Sequence, residues 1–190
     1  RQRQMCIRDR DLYSDAEIIR EKGTDRSKYF RGEVDKYSWQ KIGSSYLPGD
    51  LIAAFLLAQL EDAENIIRRR MAIWQYYHEK LEFLEEKGLI RRPIVPDYCK
   101  HNAHMYYILL APDIDRQLVL EEFNRSNVNS IFHYVPLHSS PAGKRFGREN
   151  KHLEVTNEQS ERIVRLPLWI GLTEQEQDIV IDVLNMVVNA

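Results

Sequence analysis

Apolar residues recur at helical spacing through the middle of the chain and, more briefly, at strand spacing in its second half. Between residues 50 and 86, Leu51, Ala54, Ala58, Ile66, Ile73, Tyr77 and Leu81 trace one helix face, and Gly88 closes the run. The pattern predicts helix throughout, bent or broken near Asp62. Residues 51–60 are the most apolar stretch and read as a buried helix, being far shorter than the roughly 20 residues of a membrane span. Upstream, residues 15–22 predict a short helix stopped by Gly23, a left-handed C-terminal residue. Residues 24–39 have no clean period and are rich in charge and aromatics. They read as a long loop, a kind of segment that tends to be functional in compact domains.

Pro93 and Pro96 bracket a linker, so a boundary is expected there: residues 11–92 belong to a larger-domain remnant and 93–190 to a small α+β domain. Within the latter, residues 105–110 predict a strand, with Tyr106, Tyr107 and Ile108 favouring β structure. Residues 115–125 predict a helix that buries Leu118, Leu120 and Phe123. Residues 130–135 form another strand, 141–153 an irregular basic loop, 157–164 a short helix and 166–169 a short strand. Thr173-Glu174-Gln175-Glu176 fits a capping box opening a last helix, with Ile179, Val180, Val183, Leu184 and Val187 as its apolar face.

Composition narrows the function classes. The chain has 190 residues, 43% hydrophobic and 29% charged, enough to bury a core, and its net charge of −2 argues against binding nucleic acid by phosphate neutralisation. No membrane partner is indicated. Cys6 and Cys99 are the 2 cysteines, far apart, so a reducing cytoplasm is the expected compartment. Residues 1–10 show neither periodicity nor a signal-peptide core. They read as translated adapter sequence fused to a truncated reading frame, or as a disordered basic tail, and carry no function on either reading.

Three segments carry candidate chemistry. Gly43-Ser44-Ser45-Tyr46-Leu47-Pro48-Gly49 runs straight into the apolar helix at Asp50. Serine hydroxyls, free backbone N–H groups and a helix N-terminus together suit a phosphate. In the preceding loop, Lys36, Tyr37 and Trp39 suit pairing with phosphate and stacking on a base or sugar, against the alternative of buried aromatics. In the strand at 130–135, His133 and Val135 share one face and Tyr134 takes the other; Pro136 ends it and leaves His138 in the following loop. His133, Tyr134 and His138 suit hydrogen bonds to a sugar diphosphate. Ordinary structural histidines and a metal site are the alternatives, but neither this pair nor His101 and His104 has a usual zinc spacing, and no metal is expected. Arg68-Arg69-Arg70 fans around a helix and reads as a solvated face, as do Glu85-Glu86 and Glu121-Glu122.

In order along the chain, Ala16-Glu17-Ile18-Ile19-Arg20-Glu21-Lys22-Gly23-Thr24, Arg31-Gly32, Val34-Asp35-Lys36-Tyr37, Ile42-Gly43-Ser44-Ser45-Tyr46-Leu47, Asn102-Ala103-His104-Met105, His133-Tyr134, Pro136-Leu137-His138 and Leu166-Pro167-Leu168 resemble the DegT/DnrJ/EryC1/StrS family of sugar aminotransferases. They spread over residues 16–190 and would form roughly the second half of a full-length relative.

The resemblance implies an α/β protein with an α+β C-terminal part, a truncated form of the aspartate-aminotransferase-like fold type I. Residues 11–92 would then be a remnant of the large domain that holds the cofactor. It implies pyridoxal 5′-phosphate (PLP) as cofactor, glutamate and a nucleotide sugar as substrates, and a homodimer with shared active sites. The implied reaction moves an amine from glutamate to C4 of a dTDP-4-keto-6-deoxyhexose, in cell-surface polysaccharide synthesis.

By the same resemblance Ser44, Ser45 and Tyr46 would reach the partner's PLP phosphate, Lys36, Tyr37 and Trp39 would line the nucleotide-sugar entrance, and His133, Tyr134 and His138 would border the sugar and diphosphate. Most of the family has Asn at the position of Ser45 and Arg at that of Leu47, so those two roles transfer less directly; one subgroup shares the Ser-Ser-Tyr-Leu form. The family's Schiff-base lysine stands in a Ser-x-x-Lys setting before a Gly-rich stretch, and no lysine here has that setting. No catalytic residue is therefore expected within the chain, which would be inactive alone. The second class of function is a non-catalytic module of the same fold that binds a nucleotide sugar or a partner.

Overall fold

The computed structural model describes residues 10–149 and 153–189. The first nine residues, Cys6 among them, lie outside the described residues. Arg10, expected in the tail, opens the first helix. The chain divides into two compact units, Arg1–Glu61 and Asp62–Ala190.

The N-terminal unit contains α1 (Arg10–Arg20), α2 (Arg26–Phe30) and α3 (Asp50–Glu61). Helix α2 lies inside the stretch expected to be all loop. After α1 the chain turns through Gly23, whose φ is +77°, and the later loop folds back on it. Isolated antiparallel bridges pair Glu21 with Ser45 and Thr24 with Trp39. Gly23 accepts from the Gln40 and Lys41 amides at 2.7 and 3.0 Å. Helix α3 corrects the buried-helix expectation, for none of its residues is buried: Leu51 is 88% and Phe55 71% exposed. A helix apolar on every side needs partners on every side, which one folded-back loop does not supply.

The second unit runs α4 (Ala63–Lys80), α5 (Glu82–Glu86), β1 (Ile90–Arg91), β2 (Tyr106–Leu110), α6 (Arg116–Arg125), β3 (Ile131–Phe132), α7 (Pro141–Phe146), α8 (Glu154–Arg162), β4 (Ile163–Leu166) and α9 (Glu174–Val188). Its four strands form an antiparallel sheet in the order β1-β2-β4-β3, with Tyr106 opposite Leu166 and Phe132 opposite Val164. Ile73, Trp74 and Tyr77 of α4, Val119 and Phe123 of α6, and Val180, Ile181 and Leu184 of α9 share one core with Tyr106, Ile108, Leu110 and Val164 of the sheet.

The unit boundary therefore falls at 61/62 rather than at 92/93. Helix α4 is part of the C-terminal core: the Tyr77 and Tyr106 rings stand 5.3 Å apart, and the buried Gln177 amide donates to the Ile73 carbonyl at 2.9 Å. Arg70 donates to the carbonyls of Ala103 and His104 at 3.0 and 2.7 Å, so the triple-arginine run is only partly a solvated face. The proline-flanked segment is no free linker, because Arg92 is tied down. Its backbone N–H and Nε each meet the Glu85 carboxylate at 2.7 Å, and its guanidinium also reaches Glu82 and the His78 carbonyl. Glu85 is thus a structural anchor and not simple helix surface.

Several local expectations shift. Strand β3 is two residues long because it has one neighbour only, and β4 ends at Leu166 because Pro167 has no N–H to donate. The basic loop contains α7, capped by Ser140 Oγ accepting from the Gly143 amide at 3.0 Å with Pro141 in its first turn. The short helix expected at 157–164 runs as Glu154–Arg162. In α6, Val119 and Phe123 are buried while Leu118 is 59% exposed. In α9 the capping box of Thr173 and Glu176 is present, but the buried face includes Gln177, Ile181 and Val188, and Ile179 is exposed. Among the described residues no helix is long and apolar enough to cross a membrane.

Candidate functional site

In the N-terminal unit the serine loop is stitched to the end of α1. The Ser44 amide donates to the Ile19 carbonyl at 3.0 Å, the Tyr46 amide to the Arg20 carbonyl at 3.1 Å, and the Lys22 amide to the Ser44 carbonyl at 3.2 Å. This corrects the expectation of free backbone N–H groups at Ser44 and Tyr46, since both are spent on the bridge. The helix N-terminus is no ready anion site either, because Asp50 places a carboxylate in the first turn of α3. What the loop offers a phosphate is the pair of hydroxyls on exposed Ser44 and Ser45, neither with a protein partner among the described residues.

Lys36, Tyr37 and Trp39 are exposed, which overturns the buried-aromatic alternative. Tyr37 meets Tyr29 edge to face at 5.8 Å, and the Trp39 indole lies beside Gly23. Tyr37 and Ser45 border one cavity of about 480 Å³ together with Arg20, Lys22 and Arg26; Lys36 and Trp39 lie outside its lining.

An ion pair braces this unit. Arg31 grips both oxygens of the buried Glu17 at 2.7 and 3.0 Å and reaches Glu33 at 2.6 Å. Hydrogen bonds from Arg31 hold the Glu17 carboxyl below the usual carboxylate range, against the opposing effect of burial. A depressed folded-state pKa gives stability that is present above the unfolded value and lost as pH falls through the folded one. Thermal melts of Glu17→Gln should therefore lie slightly below wild type at neutral pH, a small effect because solvent screens the half-exposed Arg31, and converge with it in acid. Parallel curves at every pH would remove the pair from the account.

In the second unit His133 and Tyr134 lie past the end of β3, so they do not alternate across a strand as expected. Their rings sit 5.0 Å apart and both line a cleft of about 340 Å³. The Nδ1 atom of His133 is buried without a hydrogen-bond partner. His138 stands behind the cleft wall, its Nε2 donating to the Asn157 Oδ1 at 2.8 Å, and Asn157 lines the cleft. Among the described residues Arg116 is the only cation in that lining. Its guanidinium lies over the Phe132 ring at 5.7 Å and donates to the Ser160 carbonyl. Neither Arg116 nor Asn157 stood out in the sequence, since a basic residue opening a helix and an asparagine inside one are both ordinary. Among the described residues no three His, Cys, Asp or Glu side chains gather as a metal-binding group.

The sequence profile of the DegT/DnrJ/EryC1/StrS aminotransferase family matches residues 5–185. The uncharacterised protein MJ1066 of Methanocaldococcus jannaschii is 32% identical over 177 residues, covering 90% of this chain and 44% of that protein. The dTDP-4-dehydro-2,3,6-trideoxy-D-glucose 4-aminotransferase of Saccharopolyspora spinosa is 27% identical over 75% of this chain and 35% of its own length. In structure, the chain is similar to Spr1654 of Streptococcus pneumoniae, a proposed sugar aminotransferase solved in its PLP form: TM-score 0.76, 19% identity, 94% of this chain and 44% of that one. The likeness shows the fold, that of fold type I α/β aminotransferases. The chain spans less than half the length of each of these proteins.

Proposed function

The chain belongs to the DegT/DnrJ/EryC1/StrS aminotransferase family, and from that premise we propose that it is the C-terminal part of a PLP-dependent sugar-nucleotide aminotransferase. Bound PLP supplies the electron sink for moving an amine from glutamate to a keto sugar. The residues here fit a supporting part around that group. Ser44 and Ser45 offer exposed hydroxyls to its phosphate, and Tyr46 is held beside them by the bridge to α1. Lys36, Tyr37 and Trp39 present a cation and two aromatic faces to solvent, as an entrance for a nucleotide sugar requires. His133 and Tyr134 line the cleft in the second unit, and His138 positions Asn157 there; these border the sugar and its diphosphate.

The substrate we assign is a dTDP-4-keto-6-deoxyhexose aminated at C4, in cytoplasmic synthesis of a cell-surface polysaccharide. The Ser-Ser-Tyr-Leu form of the loop favours the subgroup that makes dTDP-4-amino-4,6-dideoxygalactose for enterobacterial common antigen. Exposed Leu51, Ile52, Phe55 and Leu56 on α3 support association into a homodimer. The covalent anchor for the cofactor lies outside the chain on this reading. The observation that carries the proposal is the family match across residues 5–185.

The first test is the source DNA upstream of the codon for Asp11. An in-frame segment with a Ser-x-x-Lys lysine is expected there, and the encoded parent should turn glutamate and dTDP-4-keto-6-deoxyglucose into 2-oxoglutarate and an amino sugar in equal amounts. The 190-residue chain, mixed with PLP and reduced with borohydride, should carry no stoichiometric label on any one lysine. A single fully labelled lysine, or an unrelated upstream domain, would overturn the assignment.

A further inference from the structure

The turn that leads into β2 is buried, strained and held in part by one titratable atom. Ala103 is fully buried at a φ of +49°, the left-handed region that a non-glycine residue adopts only where its surroundings hold it. Two side chains do so. Arg70 of α4 donates to the Ala103 and His104 carbonyls at 3.0 and 2.7 Å, and a guanidinium keeps its protons at any ordinary pH. On the amide side, the Ala103 N–H donates to His101 Nδ1 at 3.3 Å, its one partner among the described residues. Nδ1 accepts only while it carries no proton, so this bond needs a neutral imidazole with its hydrogen on Nε2. A proton on Nδ1 sets N–H against N–H and strands a buried amide.

The surroundings hold the ring in place and favour no cation on it. The His101 ring meets the Trp74 indole edge to face at 4.6 Å, and His78 stacks on that indole at 4.5 Å. Arg70 faces the turn from α4, Lys100 and His104 flank it in sequence, and the contacts of His101 among the described residues include no carboxylate. Around His78, Arg92 is set against Glu79, Glu82 and Glu85, and the Tyr106 hydroxyl of β2 lies 3.4 Å from its Nδ1. Burial, and Arg92 after it, push the His78 imidazole below the ordinary histidine range, so that side of the indole keeps its charge state in mild acid.

We propose that His101 is the pH-sensitive half of a latch on the turn 101–104. Neutral, it caps the Ala103 amide and fixes the turn to α4; protonated, it lets go, repels Arg70, and the left-handed strain at Ala103 drives the turn open. What the latch fixes or frees is the end of the segment between β1 and β2, with the exposed Asn102 and His104 side chains on it. The inference does not depend on the aminotransferase reading.

The test is nuclear magnetic resonance of the 15N-labelled 190-residue chain. At neutral pH the His101 Nδ1 should give the signal of an unprotonated nitrogen. The protection factor of the Ala103 amide, which corrects for the intrinsic pH dependence of exchange, should fall about tenfold or more between about pH 7.5 and 5. Those of Phe123 and Leu184 in the core should change less than about twofold. In His101→Asn the side-chain Oδ1 accepts at either pH, so Ala103 should keep its protection in acid. A protonated Nδ1 at neutral pH, unchanged Ala103 protection in wild type, the same fall in His101→Asn, or a matching fall in the core amides would each overturn the latch. The wild-type measurements decide even where the variant does not fold.

Discussion

Replacing Gly23 with alanine is expected to unfasten the serine loop from α1 and to cost the N-terminal unit about 3 kcal/mol or more. Two penalties combine. The residue's φ of +77° disfavours any side chain, and a Cβ there would lie 1.7 Å from the Lys41 carbonyl oxygen. That oxygen is backbone and cannot swing aside. Gly43 presses from the other side: its own Cβ would come within 2.2 Å of the Gly23 nitrogen. The two glycines let the end of α1 and the returning loop approach closely enough for the bonds at Gln40, Lys41, Ser44 and Tyr46. Gly88 is the control, with φ +74° but open space around it, so Gly88→Ala should pay only the backbone term of about 1–2 kcal/mol. Amide hydrogen exchange at Lys41, Ser44 and Tyr46 reads the outcome. Wild-type protection in Gly23→Ala would mean that the loop is not held in the way described.

That close approach explains why the loop's chemistry was only half legible. Gly and Ser leading into a helix announce a permissive backbone, and the exposed Ser44 and Ser45 hydroxyls agree with it. The sequence has no local signal for where the amides go, because their acceptors, Ile19 and Arg20, lie about 25 residues earlier and meet them only through the bridge. For the same reason nothing local announces that Arg20, Lys22 and Arg26 line one cavity, which depends on the turn at Gly23 and not on their spacing.

Periodicity was reliable where one element decides its own shape. The capping box at Thr173 and strand β2 follow from local chemistry and β propensity, and both are present. It failed where a partner decides. Residues 51–60 are apolar enough to be buried, yet burial needs a surface to pack against. Prolines at 93 and 96 suggest a boundary, but Arg92 beside them is bonded to Glu85, Glu82 and the His78 carbonyl, and α4 shares its core with the sheet. In the cleft, the end of β3 brings His133 and Tyr134 together, while Asn157 arrives from α8 and Arg116 from α6, elements whose packing no local pattern encodes.

Phe123→Ala is the other large effect, expected to destabilise the second unit by about 3–5 kcal/mol. Phe123 is fully buried where α6 packs against α9 and β4, and truncating it opens a cavity in the core they share with the sheet. The comparison that makes the result informative is Leu118→Ala. Apolar spacing alone puts Leu118 on the buried face, but it is 59% exposed, so its truncation should cost well under 1 kcal/mol. Denaturant melts of the two variants thus measure the rotation of α6 about its axis. That rotation has a functional reading. With Val119 and Phe123 turned into the core, Arg116 and Leu120 one turn apart face the cleft beside His133 and Tyr134. A helix turned far enough to bury Leu118 would move Arg116 off Phe132 and out of the cleft lining. Equal costs for Leu118→Ala and Phe123→Ala would therefore contradict both the core and the cleft.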